Sequence, residues 1–249
     1  MKIAVISDIH GNLPALEAVL ADIAAFGADQ VYCLGDLTDA APWHNEVIAL
    51  IRHRHIPVIM GNHDERIAFD LPVIPLPKHG PEERDARNTA ISFTKATITP
   101  DNRHFLSCLP DSLRIEFPHL SLLLTHGSTR SNDEYIYEDH PEEDIVNMLT
   151  AANADVLFTG HTHFSYIRSV DSGARRIINT GAVGRTREEK GKAVYLQLEI
   201  KNRNATTVDE LLDVRICKID YEVERTMEAI RRSPIPDFYA RFLAPETAY

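Results

Sequence analysis

Eight residues carry the chemistry that this sequence can perform: Asp8, His10, Asp36, Asn62, His63, His126, His161 and His163. Oxygen and imidazole donors in this mixture suit divalent manganese, iron, cobalt, nickel or zinc, whereas a calcium or magnesium site leans on oxygen. Seven of the eight, all but His63, are too many ligands for one tetrahedral ion. They are natural for two divalent ions sharing a carboxylate, typically about 3.5–4 Å apart. Two such ions outweigh the charge of the two aspartates, and the resulting local positive field suits a phosphate. They also lower the pKa of a shared water to near neutrality, so a metal-bridging hydroxide is the expected nucleophile. The leaving alkoxide then needs a proton. His63, beside Asn62, is the expected catalytic residue, giving that proton or stabilising charge on the phosphoryl group. Asp64 is the expected group that orients it.

Elements that place these residues follow from the pattern of apolar positions. Lys2 to Ser7 reads as a strand that ends in Asp8-Ile9-His10-Gly11-Asn12, after which Leu13, Leu16, Leu20 and Ile23 recur at helical spacing. Asn12 is a fitting N-cap and Pro14 belongs in a first helical turn. The cycle repeats with a strand from Gln30 to Leu34, a helix from Asn45 to Arg52 and a strand from Pro57 to Met60. Each strand delivers polar residues at its C-terminal end, the edge where open α/β sheets collect ligands. Leu71 to Pro81 holds four prolines and reads as a surface loop, either a lid or a plain connector. Asn88 to Leu109 reads as helical with a break near Pro100, followed by a hairpin of Ser112 to Phe117 and Leu120 to Thr125. Further on come a helix opening at Pro141, a strand from Asp155 to Thr159, and strands near Tyr166, Ile177 and Ala193 to Ile200. A strand around Val214 to Ile219 and a helix around Val223 to Arg232 complete the pattern.

Five blocks in order, Asp8-x-His10, Gly35-Asp36, Gly61-Asn62-His63-Asp64, His126-Gly127 and Gly160-His161-x-His163, resemble the signature of calcineurin-like metallophosphoesterases. Singly each block means little, but the ordered set is specific. The flanking segments are similar to the small bacterial branch of phosphodiesterases and diadenosine-tetraphosphatase relatives. The resemblance implies an α/β fold, a sandwich of two mainly mixed β-sheets flanked by helices. It implies that Asp8, His10 and His163 bind one metal, that Asn62, His126 and His161 bind the other, that Asp36 bridges, and that His63 is catalytic. Protein Ser/Thr phosphatases of the superfamily carry an arginine in the second block; here Asp39 is followed by Ala40, which argues against that role and is expected to alter the pocket rim. Asn179 to Gly184 resembles the family's Asn-Pro-Gly-Ser turn, and Arg185 after it either touches substrate phosphate or is a solvated surface arginine.

The chain has 249 residues, enough for one metallophosphoesterase domain with its motifs in 8–163 and a C-terminal strand-helix extension at about 205–249. A net charge of −11 argues against broad nucleic-acid or anionic-lipid binding and leaves a small phosphorylated substrate, a nucleotide included, as the expected partner. No apolar run reaches the roughly 20 residues that span a bilayer, and Met1 to Ile6 runs directly into a polar motif. The expected location is cytoplasmic. Cys33, Cys108 and Cys217 lack metal or disulfide spacing and read as reduced core residues. His44, His53, His55, His79, His104, His119 and His140 read as structural or surface histidines. The acidic, aromatic run of Asp133 to Asp139 is expected at the site mouth, with Tyr135 and Tyr137 either stacking on a base or packing on the body.

The expected function is metal-dependent hydrolysis of a phosphomonoester or phosphodiester. Dinucleoside polyphosphate hydrolysis is the nearest alternative and 2',3'-cyclic nucleotide hydrolysis a weaker one. From another class, the fold serves as a binding scaffold in a retromer subunit that resembles this family without its metal-binding side chains; this chain retains all of them.

Overall fold

The computed structural model describes residues 1–75, 80–201 and 207–245. Alternating apolar segments build nine strands among these residues: β1 (Lys2–Ile6), β2 (Gln30–Cys33), β3 (Ser112–Phe117), β4 (Leu120–Thr125), β5 (Val156–Thr159), β6 (Ser165–Val170), β7 (Arg175–Thr180), β8 (Lys192–Ile200) and β9 (Leu212–Asp220). They form two mixed sheets in the orders β2-β1-β8-β9 and β3-β4-β5-β7-β6. In the first, β1 runs parallel to β2 and antiparallel to β8. In the second, β5 runs parallel to both β4 and β7.

Nine helices accompany the strands among the described residues: α1 (Leu13–Phe26), α2 (His44–His53), α3 (Asn62–Ala68), α4 (Pro81–Thr97), α5 (Pro100–Ser107), α6 (Glu142–Ala151), α7 (Val208–Leu211), α8 (Val223–Arg232) and α9 (Asp237–Leu243). The sheets face each other through Ile3, Val5, Leu124, Phe158, Ile178 and Leu196, all at most 1 % exposed. The opposite face of the first sheet is covered by α1 and α2, through Leu16, Val19, Ile48 and Ile51. The opposite face of the second is covered by α6, through Ile145 and Leu149. This is the α/β sandwich of two mixed sheets flanked by helices that the resemblance implied. No helix among the described residues is long and apolar enough to cross a membrane.

Several local expectations are corrected. Pro57 to Met60 is not a strand; Val58 makes one isolated parallel bridge to Cys33. Pro57 has no N–H to donate, and the N–H of Met60 turns away to the carbonyl of Pro110 at 2.8 Å. The helix expected from Asn88 begins seven residues earlier, because Pro81 at its start and Glu82 and Glu83 in its first turn are suited to a helix N-terminus. The motif Asn62-His63-Asp64 is the first turn of α3, a helix the apolar pattern did not mark, and Cys108, expected in the core, is exposed at the end of α5. Helices α7 and α9 went unforeseen, being too short to show a period. The loop expected at Leu71 to Pro81 lies partly outside the described residues, as does His79.

Candidate metal centre

The loops that follow β1 and β2 are zipped together by backbone hydrogen bonds from Asp8 to Gly35, His10 to Asp36 and Gly11 to Leu37, each 2.9–3.0 Å. This ladder continues the β1–β2 pairing past the strand ends and sets Asp8, His10 and Asp36 on one edge. The backbone of Gly184, beyond β7, donates to the carbonyl of Asp8 at 3.0 Å and closes the edge from the β8 side. From the second sheet, β4 delivers His126 and β5 delivers His161 and His163 to the same place. Asn179, at the end of β7, donates to the carbonyl of Gly160 at 2.7 Å and accepts from the N–H of Gly181, so the turn resembling Asn-Pro-Gly-Ser keeps its bracing role.

Sharp turns are needed to aim so many side chains inward. Asp8, His10, Asp36, Asp39, His161 and His163 all have φ between 51° and 71°, in the left-handed region. Non-glycine residues held there cost of order 1–3 kcal/mol each, although Asp and His tolerate it better than most. The motif glycines meet a different demand, that of close approach. A Cβ on Gly61 would collide with the Asp36 carboxylate, and one on Gly160 would lie 2.6 Å from Asp8 Oδ2.

The side chains form three groups whose candidate ligand atoms lie within 4.8 Å of one another: Asp8 with His10 and His163, Asp36 with His126 and His161, and His10 with Asp36 and His63. Asp36 reaches both halves, at 3.7 Å from His10 Nε2 and 3.4 Å from His126 Nε2. Asn62 Oδ1 adds an oxygen 3.2 Å from His126 Nε2. Asp8, His10, Asp36, Asn62, His126, His161 and His163 are thus all gathered in one place, each at most 6 % exposed.

The donor chemistry fits divalent cations. Nδ1 of His10 donates to the carbonyl of Thr38, that of His126 to Leu34 and that of His163 to Arg185, at 2.7–3.0 Å, which leaves Nε2 lone pairs facing the cluster. His161 is turned round, its Nε2 3.2 Å from the carbonyl of Asp133, so Nδ1 is the nitrogen left over. Burial lowers the pKa of His10 and of His161 to about 3, which keeps both rings neutral as ligands must be. Burial also works against a proton on His126, but the Asp36 carboxylate outweighs it and raises the pKa to about 10, so the Nε2 lone pair of this ring becomes available only when a cation displaces its proton. Burial would raise the pKa of Asp8 and of Asp36, yet neighbouring histidines hold both below the usual carboxylate range. Asp8 Oδ1 lies 3.2 Å from His163 Nε2 but makes no hydrogen bond, a buried acceptor without a partner that a cation would satisfy.

His63 stands beside the cluster, partly exposed to a cavity of about 430 Å³. Its partner is Asp39, whose carboxylate accepts from His63 Nδ1 at 2.6 Å, and not Asp64 as expected from adjacency. Asp64 points the other way, accepting from the N–H groups of Leu37 at 2.9 Å and Gly61 at 3.4 Å. It caps α3 and braces the loop that carries Asp36, and burial followed by repulsion from Asp36 raises its pKa to about 8. Asp39 could have been found as the second acid of the Gly35-Asp36 block. Its neighbour Ala40 does not shape the cavity rim; it is buried against Tyr239 and Leu243 of α9.

The outer wall of the cavity was largely missed. Arg66 comes from α3, Arg87 from α4, and Arg185 and Arg187 from the segment after β7. Arg185 is not a solvated surface arginine: its guanidinium lies 5.0 Å and 4.5 Å from the ring centres of Tyr239 and Phe242. Tyr135 packs its ring 3.9 Å from that of His161, and Tyr137 stacks on Tyr135, which places the acidic, aromatic run at the site mouth. Among the remaining histidines, His44 is buried and bonded to Thr97, His140 pairs with Asp144, and His53, His55, His104 and His119 are exposed.

Comparison with known proteins agrees with this fold. A crystal structure of a metallophosphoesterase from Sphaerobacter thermophilus is 28 % identical and superposes with a TM-score of 0.74, covering 98 % of each chain. Hypothetical protein PH1004 of Pyrococcus horikoshii, 19 % identical, shares the fold with a TM-score of 0.80 over 98 % of each chain. Protein MJ0912 of Methanocaldococcus jannaschii is 29 % identical over 255 residues, covering 95 % of this chain and 94 % of its own. Residues 1–203 match the model of the calcineurin-like phosphoesterase superfamily domain, and the chain belongs to that family.

Proposed function

We propose that the protein hydrolyses a small phosphomonoester or phosphodiester at a centre of two divalent transition-metal ions. The observation that supports this most is that Asp36 groups with His126 and His161 on one side and with His10 on the other, His10 in turn grouping with Asp8 and His163, at the floor of the cavity that His63 lines. Asp8, His10 and His163 would hold one ion and Asn62, His126 and His161 the other, with Asp36 within reach of both groups. Manganese, iron, cobalt, nickel and zinc all suit this donor set. When bound, such ions lower the pKa of water toward neutrality and polarise phosphoryl oxygens.

The protein's own residues do the rest. Asp39 fixes the His63 ring through Nδ1, leaving Nε2 to deliver a proton to the oxygen of the departing alcohol. The backbone N–H of His63, an unpaired donor of the first turn of α3, donates to Asp36 Oδ1 at 2.8 Å and holds that carboxylate in place. The partner is a small molecule, a nucleotide included, because the chain's net charge of −11 opposes a long polyanion.

Purified protein supplied with manganese is expected to cleave p-nitrophenyl phosphate or its bis ester and to hold two metal ions per chain by elemental analysis. Asp36→Ala is expected to abolish turnover; full activity in that variant overturns the mechanism.

A further inference from the structure

The arginines of the cavity wall have no part in the chemistry above, yet they are costly to place there. Arg66 and Arg87 are 7 % and 8 % exposed, in a chain with an excess of acidic residues. Arg87 Nη1 donates to the carbonyl of Ile74 at 2.7 Å, and Arg185 lies 3.8 Å from Glu83. Arg66 Nη1 and Arg185 Nε are buried and make no hydrogen bond. Charged donors removed from water and left without acceptors are strongly unfavourable unless something supplies the acceptors. Burial, followed by the nearness of Arg66, pushes the Arg87 guanidinium below its usual value, so these cations crowd one another. The wall also carries acids, Glu65, Glu83 and Asp133, but Glu65 accepts from Asn132 Nδ2 at 3.0 Å and so is engaged away from Arg66.

The arginine that protein phosphatases carry in the second block is Ala40 here, sealed beneath α9. Guanidinium groups instead enter the cavity from α3, α4 and the segment after β7. Their planar fork is matched to phosphate oxygens. A scissile phosphate on the Asp36 floor and a second phosphate against the wall would both lie in this cavity of about 430 Å³, a size ordinary for small-molecule sites.

We propose that Arg66, Arg87, Arg185 and Arg187 form a second anion subsite, so that the preferred substrate is a small phosphate ester bearing a further phosphate group. This rests on the phosphoesterase reading of the floor and names the substrate class that the wall selects. Binding at the wall is made both before and during the reaction, so it acts mainly through KM.

The test compares phenyl phosphate with 1,4-phenylene bis(phosphate) on the manganese-loaded protein, by steady-state kinetics and by calorimetric binding. The bis(phosphate) is expected to have kcat/KM at least about tenfold higher, beyond the factor of two for its two equivalent groups, and to bind correspondingly tighter. Arg66→Gln is expected to raise KM for the bis(phosphate) and bring the ratio down toward two. Arg187→Gln, at a half-buried position that tolerates change more readily, does the same in part should Arg66→Gln fail to fold. Equal efficiencies and equal affinities for the two compounds overturn the subsite while leaving the phosphoesterase reading standing. Absence of turnover on both compounds removes that reading instead, and the binding preference then decides the subsite on its own.

Discussion

The candidate metal-binding cluster and the arginine wall face one cavity and are built in opposite ways. The cluster is made of short side chains fixed at strand ends, on backbones bent into the left-handed region and locked by a ladder of amide hydrogen bonds. The wall is made of long side chains reaching in from two helices and a loop, held by stacking on Tyr239 and Phe242 and by single hydrogen bonds. Rigid backbone fixes ligand atoms within the tolerance that metal coordination demands, whereas an anion held by guanidinium forks tolerates a looser frame. Changes to the floor are therefore expected to be severe and to strike metal content and turnover together, and changes to the wall graded and selective.

The largest effect is expected from removing a ligand. His126→Ala should lower affinity for its metal by more than about 100-fold, since even the partners of ligating residues are worth about 10- to 100-fold. Turnover should fall with it, and the rise in melting temperature on adding manganese should shrink. Retention of two tightly held ions per chain would break the comparison at its strongest point. Next comes Asp39→Asn, which keeps the ligand set and removes the charge behind His63. It should lower kcat by about 10²–10⁴-fold, the range of general acid–base catalysis, with elemental analysis still giving two metals per chain. A parallel loss of metal would show Asp39 to be part of the ligand frame instead.

A single methyl should matter on the floor. Gly61→Ala thrusts a Cβ into the Asp36 carboxylate and is expected to cost about 1–3 kcal/mol of stability in denaturant unfolding, as overpacking does. The smallest effect belongs to the exposed charges that brace the loop carrying Tyr135. Arg130 makes paired contacts with Asp144 at 2.7 and 2.8 Å and binds Glu134 as well. Its hydrogen bonds hold the carboxyls of Asp144 and Glu134 below their usual range. Because these folded-state pKa values are depressed, the stabilisation is present above the unfolded value near 4 and is lost as the pH falls through the folded one. Arg130→Ala should then cost less than about 1 kcal/mol at neutral pH, less in high salt and almost nothing in acid. A cost of several kcal/mol that salt leaves unchanged would place this loop with the rigid floor.

The floor was legible because every candidate ligand except Asn62, which opens α3, sits within a few residues of a strand end, and most of them stand beside a glycine. Asp8-x-His10 and His161-x-His163 can be read as pairs because the loops that carry them are short. What adjacency could not supply was the partner of His63. Asp64 is next to it in sequence, but on the first turn of α3 it is drawn to the helix's own amide groups, while Asp39 arrives across the cavity floor from the β2 loop. Arg185 was visible as a residue but not as a buried one, since Tyr239 and Phe242, more than fifty positions away, bury it.

By itself, then, the sequence carried the α/β alternation in the spacing of its apolar positions, while the two-sheet sandwich and the candidate ligand set were implied by the resemblance of its ordered strand-end motifs to a known family. The tertiary structure alone decided that Asp39 backs His63, that Ala40 is sealed under α9, and that four arginines share one cavity. Helices bring those residues together by packing their apolar faces, and the polar side chains that arrive at the same place share no spacing along the chain.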